Sequence, residues 1–327
     1  MYPVDLMTTL TAVFNQDERK QSVFIMGSPG LGKTAIVAQA AQTAHKQLMT
    51  IALPTCEAVD LRGMPQIIDG QTKWASPMPK DGKGVLLLDE LSSAAPDVQV
   101  AAHHLVWAET SSDMALPKGW HVVLTGNRAT DKTLYRATSG PLRNRLCLLN
   151  IEPDSKQWCD WAMDAGINPH VIGFIRWRPE LLTCKEIPSD GAFPSPRAWQ
   201  RASDVLSLTV STSIEREMIA GTVGEGPTTE FAAYLRTARE LPSIQAILAN
   251  PKKAEVPKSP SLLYALITGM AQYTRQEQVS AMAYVSRVPA EFALLYIRDI
   301  RDKYNITVDK DIRSWVAEHK SMFNTGE

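Results

Sequence analysis

Apolar residues recur at helical spacing over residues 4–16 (Leu6, Leu10, Val13, Phe14), which predicts a short leading helix. Ser22–Met26 is a brief, partly β-branched apolar run that stops at a Gly/Pro loop, and it reads as a buried strand. From Gly32 the chain becomes rich in Ala, Val and Gln, predicting a helix to about His45; Leu48–Leu53 reads as a second strand. Residues 54–83 break this rhythm. They hold three Gly and four Pro, with β-like pieces at Gln66–Ile68 and Thr72–Trp74, so a loop and a hairpin are expected there rather than a core helix. Gly84–Leu88 is a strongly apolar strand, and Asp97–Trp107 a helix with Pro96 at its first turn. Trp120–Thr125 and Leu146–Ile151 bring the strands to five. Strands alternating with helices predict an α/β fold whose parallel sheet is covered on both faces.

After Pro153 the pattern turns mainly helical. The Pro/Gly-rich stretch Ile187–Pro196 precedes a helix at Arg197–Leu208. Lys252–Pro260 is a polar, Pro-containing break, and further helices are expected near 261–272, 276–285, 289–303 and 309–322. The expected organisation is an α/β core over 1–152, a helical lid over 153–250 and a C-terminal helical extension over 251–327. No internal repeat interrupts it.

A length of 327 residues, with 44% hydrophobic and 21% charged residues, fits an ordinary globular protein of two domains, or of one large α/β domain with a helical appendage. A net charge of −1 supplies no global field for nucleic acid or an anionic membrane. The start of the chain lacks the pattern of a signal peptide, and no apolar stretch reaches the roughly 20 residues needed to span a bilayer, so a cytoplasmic location without a membrane partner is expected. Cys56, Cys147, Cys159 and Cys184 form no C-x-x-C pair and read as free thiols. His103 and His104 are adjacent on a helix, about 100° apart, and read as structural. Trp158, Trp161, Phe174 and Trp177 read as core packing.

The chemistry begins at Gly27-Ser28-Pro29-Gly30-Leu31-Gly32-Lys33-Thr34, which matches G-x-x-x-x-G-K-[ST] between a strand and a helix. Glycines there let backbone N–H groups turn toward phosphate oxygens at a helix N-terminus. Lys33 can reach the β- and γ-phosphates of ATP, and the Thr34 hydroxyl can ligate Mg²⁺. The strand Val85–Leu88 then delivers Asp89 and Glu90 to its C-terminal end, where open α/β sheets bind ligands. Asp89 would hold Mg²⁺ through water, and Glu90 would polarise the attacking water. A third strand ends at Asn127, whose amide can orient that water or the γ-phosphate. Arg143 and Arg145 precede the last strand, where an arginine can reach a neighbouring subunit's γ-phosphate; Arg145 is the first choice. Arg197 opens a helix after Ser195-Pro196 and could report nucleotide state.

In this order the motifs GSPGLGKT, LLLDE, LTGN, PLRNRL and SPRAW resemble the AAA+ ATPases, and within them the MoxR-type branch, over roughly residues 20–205. Asp60-Leu61-Arg62-Gly63 and the Trp-containing stretch up to Gly84 resemble that branch's insert. The resemblance implies a P-loop core with a helical lid and a homo-oligomeric, usually hexameric, ring with ATP sites at subunit interfaces. It implies Asn127 as first sensor, Arg197 as second sensor and Arg145 as the arginine finger. It also implies a chaperone-like remodeller, often beside a von Willebrand factor A domain partner. The chain departs from the family at Arg128, where Pro is usual, at Asn144, where Asp is usual, and at Leu146, where Phe is usual. Two alternatives stay open: a DNA-directed ATPase (helicase loader or translocase), and a nucleotide-gated assembly scaffold, against which Glu90 argues. The hairpin around Lys73-Trp74 and Lys80 can meet a substrate or a neighbouring subunit.

Overall fold

The computed structural model describes residues 1–107, 116–131, 135–273 and 275–304. The chain divides into two compact units, Met1–Asp154 and Ser155–Glu327.

Among its described residues the first unit is built on seven strands: β1 (Ser22–Met26), β2 (Gln47–Ala52), β3 (Met64–Ile68), β4 (Gln71–Ala75), β5 (Gly84–Asp89), β6 (Trp120–Gly126) and β7 (Leu146–Asn150). Five form a parallel sheet in the order β2-β5-β6-β1-β7. Its helices are α1 (Pro3–Phe14), α2 (Lys33–Thr43), α3 (Ala58–Arg62), α4 (Pro96–Trp107) and α5 (Gly140–Arg143). Successive side chains of a strand point to opposite faces, so an unbroken apolar strand must feed two cores. Leu86 and Leu88 of β5 join Val122 and Leu124 of β6 in one core, closed by Val98, Ala101, Ala102 and Leu105 of α4. Val85, Leu87 and Val123 join the other, closed by Leu6, Leu10 and Phe14 of α1 and Val37, Ala40 and Ala41 of α2. With both faces committed to apolar contact, polar chemistry is left to the strand ends. Parallel register puts the C-terminal ends of β1, β5 and β6 at one edge of the sheet, with Met26 opposite Gly126 and Leu88 opposite Leu124.

The stretch 54–83 does contain the expected hairpin, β3 pairing antiparallel with β4 around Asp69 and Gly70, both at positive φ (54° and 72°). Every residue of the two strands is exposed; Ile67 is 83% exposed. One expectation is corrected: the stretch also holds a core-directed helix, α3. Its five residues are too few to show a period, but a reciprocal capping box between Glu57 and Asp60 holds them, and Leu61 is fully buried.

Among the described residues the second unit is wholly helical: α6 (Ser155–Asp164), α7 (Pro169–Trp177), α8 (Pro196–Val205), α9 (Thr212–Val223), α10 (Glu225–Arg239), α11 (Ile244–Ala249), α12 (Pro260–Met270), α13 (Arg275–Val285) and α14 (Ala290–Tyr304). The helix expected over 309–322 lies outside the described residues. α8 ends before the expected Leu208, because its last turn tightens into i→i+3 bonds at Ser207 and Leu208. Phe174 centres an aromatic core, with ring centroids 4.9 Å from Phe231 and 5.4 Å from both Trp199 and Tyr234. Trp158 is buried in the same core, and Trp161 and Trp177 pack against it. α12 feeds Ala265 to this core and Leu263, Leu266, Ile267 and Met270 to a second one with α13 and α14. The segment between α11 and α12 is fastened to the end of α13 and the turn after it: Tyr284 Oη donates to Glu255 O at 2.9 Å and Arg287 Nη1 to Pro251 O at 2.6 Å. All four cysteines are free, and burial pushes the Cys159 thiol up to about 12, so it behaves as a small core residue.

A buried ion pair crosses this unit. Arg176 on α7 makes a two-pronged contact with Asp299 on α14, at 2.7 and 3.0 Å, and Arg176 Nη1 also donates to Thr268 Oγ1 on α12 at 2.9 Å. The two side chains are 6% and 2% exposed. Breaking such a pair strands a buried charge, whereas replacing both partners with apolar groups does not. Asp299→Ala should therefore destabilise the protein by about 3–5 kcal/mol, and the double variant Arg176→Met/Asp299→Leu by much less. Urea denaturation followed by circular dichroism checks the order; equal losses would contradict it.

Candidate active site

The loop Gly27–Thr34 leaves the end of β1 and enters α2. Gly27 is required by space: a Cβ there would lie 2.4 Å from Ile151 Cγ2. Gly32 is required by conformation, at φ +85° with open space around it. Leu31 is 7% exposed and pins the middle of the loop to the core below. Gly32 is the N-cap of α2 and brings no capping side chain, so the first-turn N–H groups suit an anion. An uncapped, glycine-shaped helix start is the cradle a phosphate chain fits.

Lys33 is 8% exposed and lies across the loop's opening turn. Its ammonium donates to Gly27 O at 2.6 Å, Ser28 O at 3.0 Å and Asn127 Oδ1 at 3.1 Å. The Thr34 hydroxyl lies 2.9 and 3.1 Å from the two Asp89 oxygens. The strand ends thus bring together Lys33, Thr34, Asp89 and Asn127, four of the residues singled out from the sequence. A hydroxyl beside a carboxylate is the oxygen donor set that suits Mg²⁺, which keeps most of its shell as water and phosphate. Among the described residues no group of three His, Cys, Asp or Glu could hold a metal without such help.

Glu90 follows Asp89 in a left-handed backbone conformation, φ 60° and ψ 43°, and its side chain is exposed. For a residue other than Gly this costs energy that the surroundings must supply. They do so through Thr125, which is fully buried on β6. Its hydroxyl accepts from Glu90 N at 3.0 Å and donates to Asp89 Oδ1. Ser92, also fully buried, accepts from Asn127 N at 2.8 Å. Arg136 fastens the turn after Glu90: its N–H donates to Ser92 O at 2.7 Å and its guanidinium to Ala94 O at 2.9 Å. Sequence reading missed Thr125, Ser92 and Arg136. Thr125 sits inside a motif already singled out, and its position directly before Gly126-Asn127 was the available signal.

Arg143, the last residue of α5, and Arg145, two residues beyond it, are exposed, and Arg145 Nη1 donates to Pro141 O at 2.9 Å. Arg145 also lies close enough to His103 on α4 to lower that imidazole's pKa, after burial as the larger cause. Arg197 belongs to the second unit, exposed in the first turn of α8, which the Ser195 side chain caps.

Residues 23–137 match the profile of the ATPase family associated with various cellular activities (AAA). Over that segment the chain is similar to AAA ATPase domains, which supports nucleotide binding and ATP hydrolysis. No curated protein sequence matches the chain. Solved structures that align with it include a mutant of RuvB from Thermotoga maritima (16% identity, 89% of this chain and 86% of that one, TM-score 0.43). NtrX from Brucella abortus also aligns (15% identity, 91% of this chain and 67% of that one, TM-score 0.38). Among the described residues no helix is long and apolar enough to cross a membrane.

Thr125→Val keeps the side-chain shape but leaves Glu90 N and Asp89 Oδ1 without their shared partner. The expected cost is about 1–3 kcal/mol in stability, read by thermal denaturation. A fall in kcat of roughly 10²-fold should accompany it, because the acidic pair is released from its position. Wild-type turnover in this variant would remove Thr125 from the site.

Proposed function

We propose that this chain is a MoxR-type AAA+ mechanochemical ATPase that works as a homo-oligomeric ring and remodels a protein partner. The observation that carries the reading is the strained Glu90, held next to Asp89 by Thr125, at the sheet edge where Lys33 and Asn127 meet. A protein that only binds nucleotide has no use for an acid held at such a cost.

In this reading the N–H groups of Gly27–Thr34 and the Lys33 ammonium bind the β- and γ-phosphates. Thr34 and Asp89 would hold Mg²⁺, which neutralises phosphate charge when bound. Glu90 accepts a proton from the attacking water as the water oxygen bonds to the γ-phosphorus and the bond to the β,γ-bridging oxygen breaks, releasing ADP and phosphate. The Asn127 amide, already bonded to Lys33, orients the γ-phosphate or the water. The exposed Arg145, with Arg143 as second choice, serves a neighbouring subunit's γ-phosphate, and Arg197 couples the helical unit to nucleotide state. The exposed hairpin β3–β4 is a further surface for client or subunit. A von Willebrand factor A domain protein is the client class that the branch suggests, in the cytoplasm.

Glu90→Gln should bind ATP as the wild type does and lose roughly 10²–10⁴-fold in turnover, the range general-base removal spans. Filter binding and steady-state hydrolysis test this directly, and unchanged turnover would sink the mechanism. The shared site has its own test. Lys33→Ala subunits, which keep the arginines, mixed with Arg145→Ala subunits, which keep the loop, should recover part of the activity that each lacks alone. No recovery with either Arg145→Ala or Arg143→Ala partners would confine the site to a single subunit.

A further inference from the structure

We infer that Asp131 is a positioning residue for ATP hydrolysis, one that fixes the phosphate loop to the Asn127 segment. This rests on the reading of Gly27–Thr34 and Asn127 as the catalytic site. Asp131 uses both carboxylate oxygens. Oδ1 accepts the Ser28 hydroxyl at 2.8 Å, and Oδ2 accepts the Arg128 N–H at 2.8 Å. The turn closes on itself, because Asp131 N in turn donates to Arg128 O at 3.2 Å.

Arg128 is anchored on its other side. Its guanidinium pairs with Glu152 at 3.0 Å and donates to Ile151 O. Ile151 in turn takes two contacts from the start of the loop: its N–H donates to Met26 O at 2.8 Å, and its side chain fills the space that a Cβ on Gly27 would need. The contacts form a closed circuit: Gly27 to Ile151, Ile151 to Arg128, Arg128 to Asp131, and Asp131 back to Ser28. Ser28 is thereby held at both ends, its carbonyl by Lys33 and its hydroxyl by Asp131. Lys33 also holds Asn127, so the circuit sets the distance between phosphate loop and Asn127.

Charge argues that this contact serves positioning rather than substrate affinity. A carboxylate one hydroxyl away from a phosphate loop repels a polyphosphate. Removing it should leave ATP affinity equal or raise it, while the chemical step slows because Asn127 is no longer registered against the loop. A bond that merely stabilised the fold would give neither the split nor the coupling to Ser28.

The experiment is a double-mutant cycle on the full chain with Ser28→Ala, Asp131→Ala and the pair. ATP affinity is read with a fluorescent ATP analogue, kcat by steady-state hydrolysis, and protection of the Arg128 amide by hydrogen exchange without nucleotide. Each single variant should lose about tenfold or more in kcat with affinity unchanged or tighter. The double variant should stay within about twofold of Asp131→Ala, rather than showing the product of the two losses. Arg128 amide protection should fall in Asp131→Ala and persist in Ser28→Ala. Wild-type kcat in Ser28→Ala, multiplicative losses, or weakened ATP binding at unchanged kcat would each overturn the assignment. Those results alongside an inactive Glu90→Gln would discard Asp131 alone. A fully active Glu90→Gln would discard the catalytic reading beneath it.

Discussion

The Thr125 hydroxyl is the smallest group on which the site depends. It lies at the end of a central strand with no exposure to water, and it serves two neighbours at once, the last residue of β5 and the one after it. Accepting from Glu90 N holds a backbone that would otherwise relax out of the left-handed region, and donating to Asp89 aims a carboxylate at Thr34. The sheet makes this possible because β5 and β6 are neighbours in parallel register, so residues at equivalent ends arrive side by side. The hydroxyl therefore converts a feature of topology into the position of an acidic pair.

The same logic explains how the rest of the edge is organised. Ser92 and Arg136 hold the turn after Glu90, Lys33 spans the loop and Asn127, and Asp131 returns from Asn127 to Ser28. Each link joins residues far apart in sequence, across the gaps between β1, β5 and β6. Polar groups beside a core tolerate few arrangements, because each donor or acceptor must find a partner there. That requirement makes the edge rigid without help from the loops' own propensities.

Much of this was legible in the residues. The apolar runs of β1, β5 and β6 could be read as strands because strands buried on both faces show unbroken hydrophobicity, and the alternation of strands with helices identified a parallel sheet. The phosphate loop was legible because glycine spacing records backbone conformation directly. Asp89 and Asn127 stood out as polar residues ending apolar strands. Three features left no such trace. Helix α3 is shorter than two helical turns, so no period could form. Ser92, Asp131 and Arg136 are single polar residues, each with a partner dozens of positions away. The backbone conformation of Glu90 is imposed by tertiary contacts and is not marked by a Gly or Asn.

The hairpin β3–β4 differs from everything else in its unit. Two strands have no interior, and all ten of its strand residues meet solvent. Its side chains contribute little to either core, so substitution there is nearly invisible to folding. A stretch under such weak structural constraint can drift widely in sequence while the nucleotide site stays unchanged. If related chains act on different partners, this ribbon is where the protein could change its recognition without relearning how to fold.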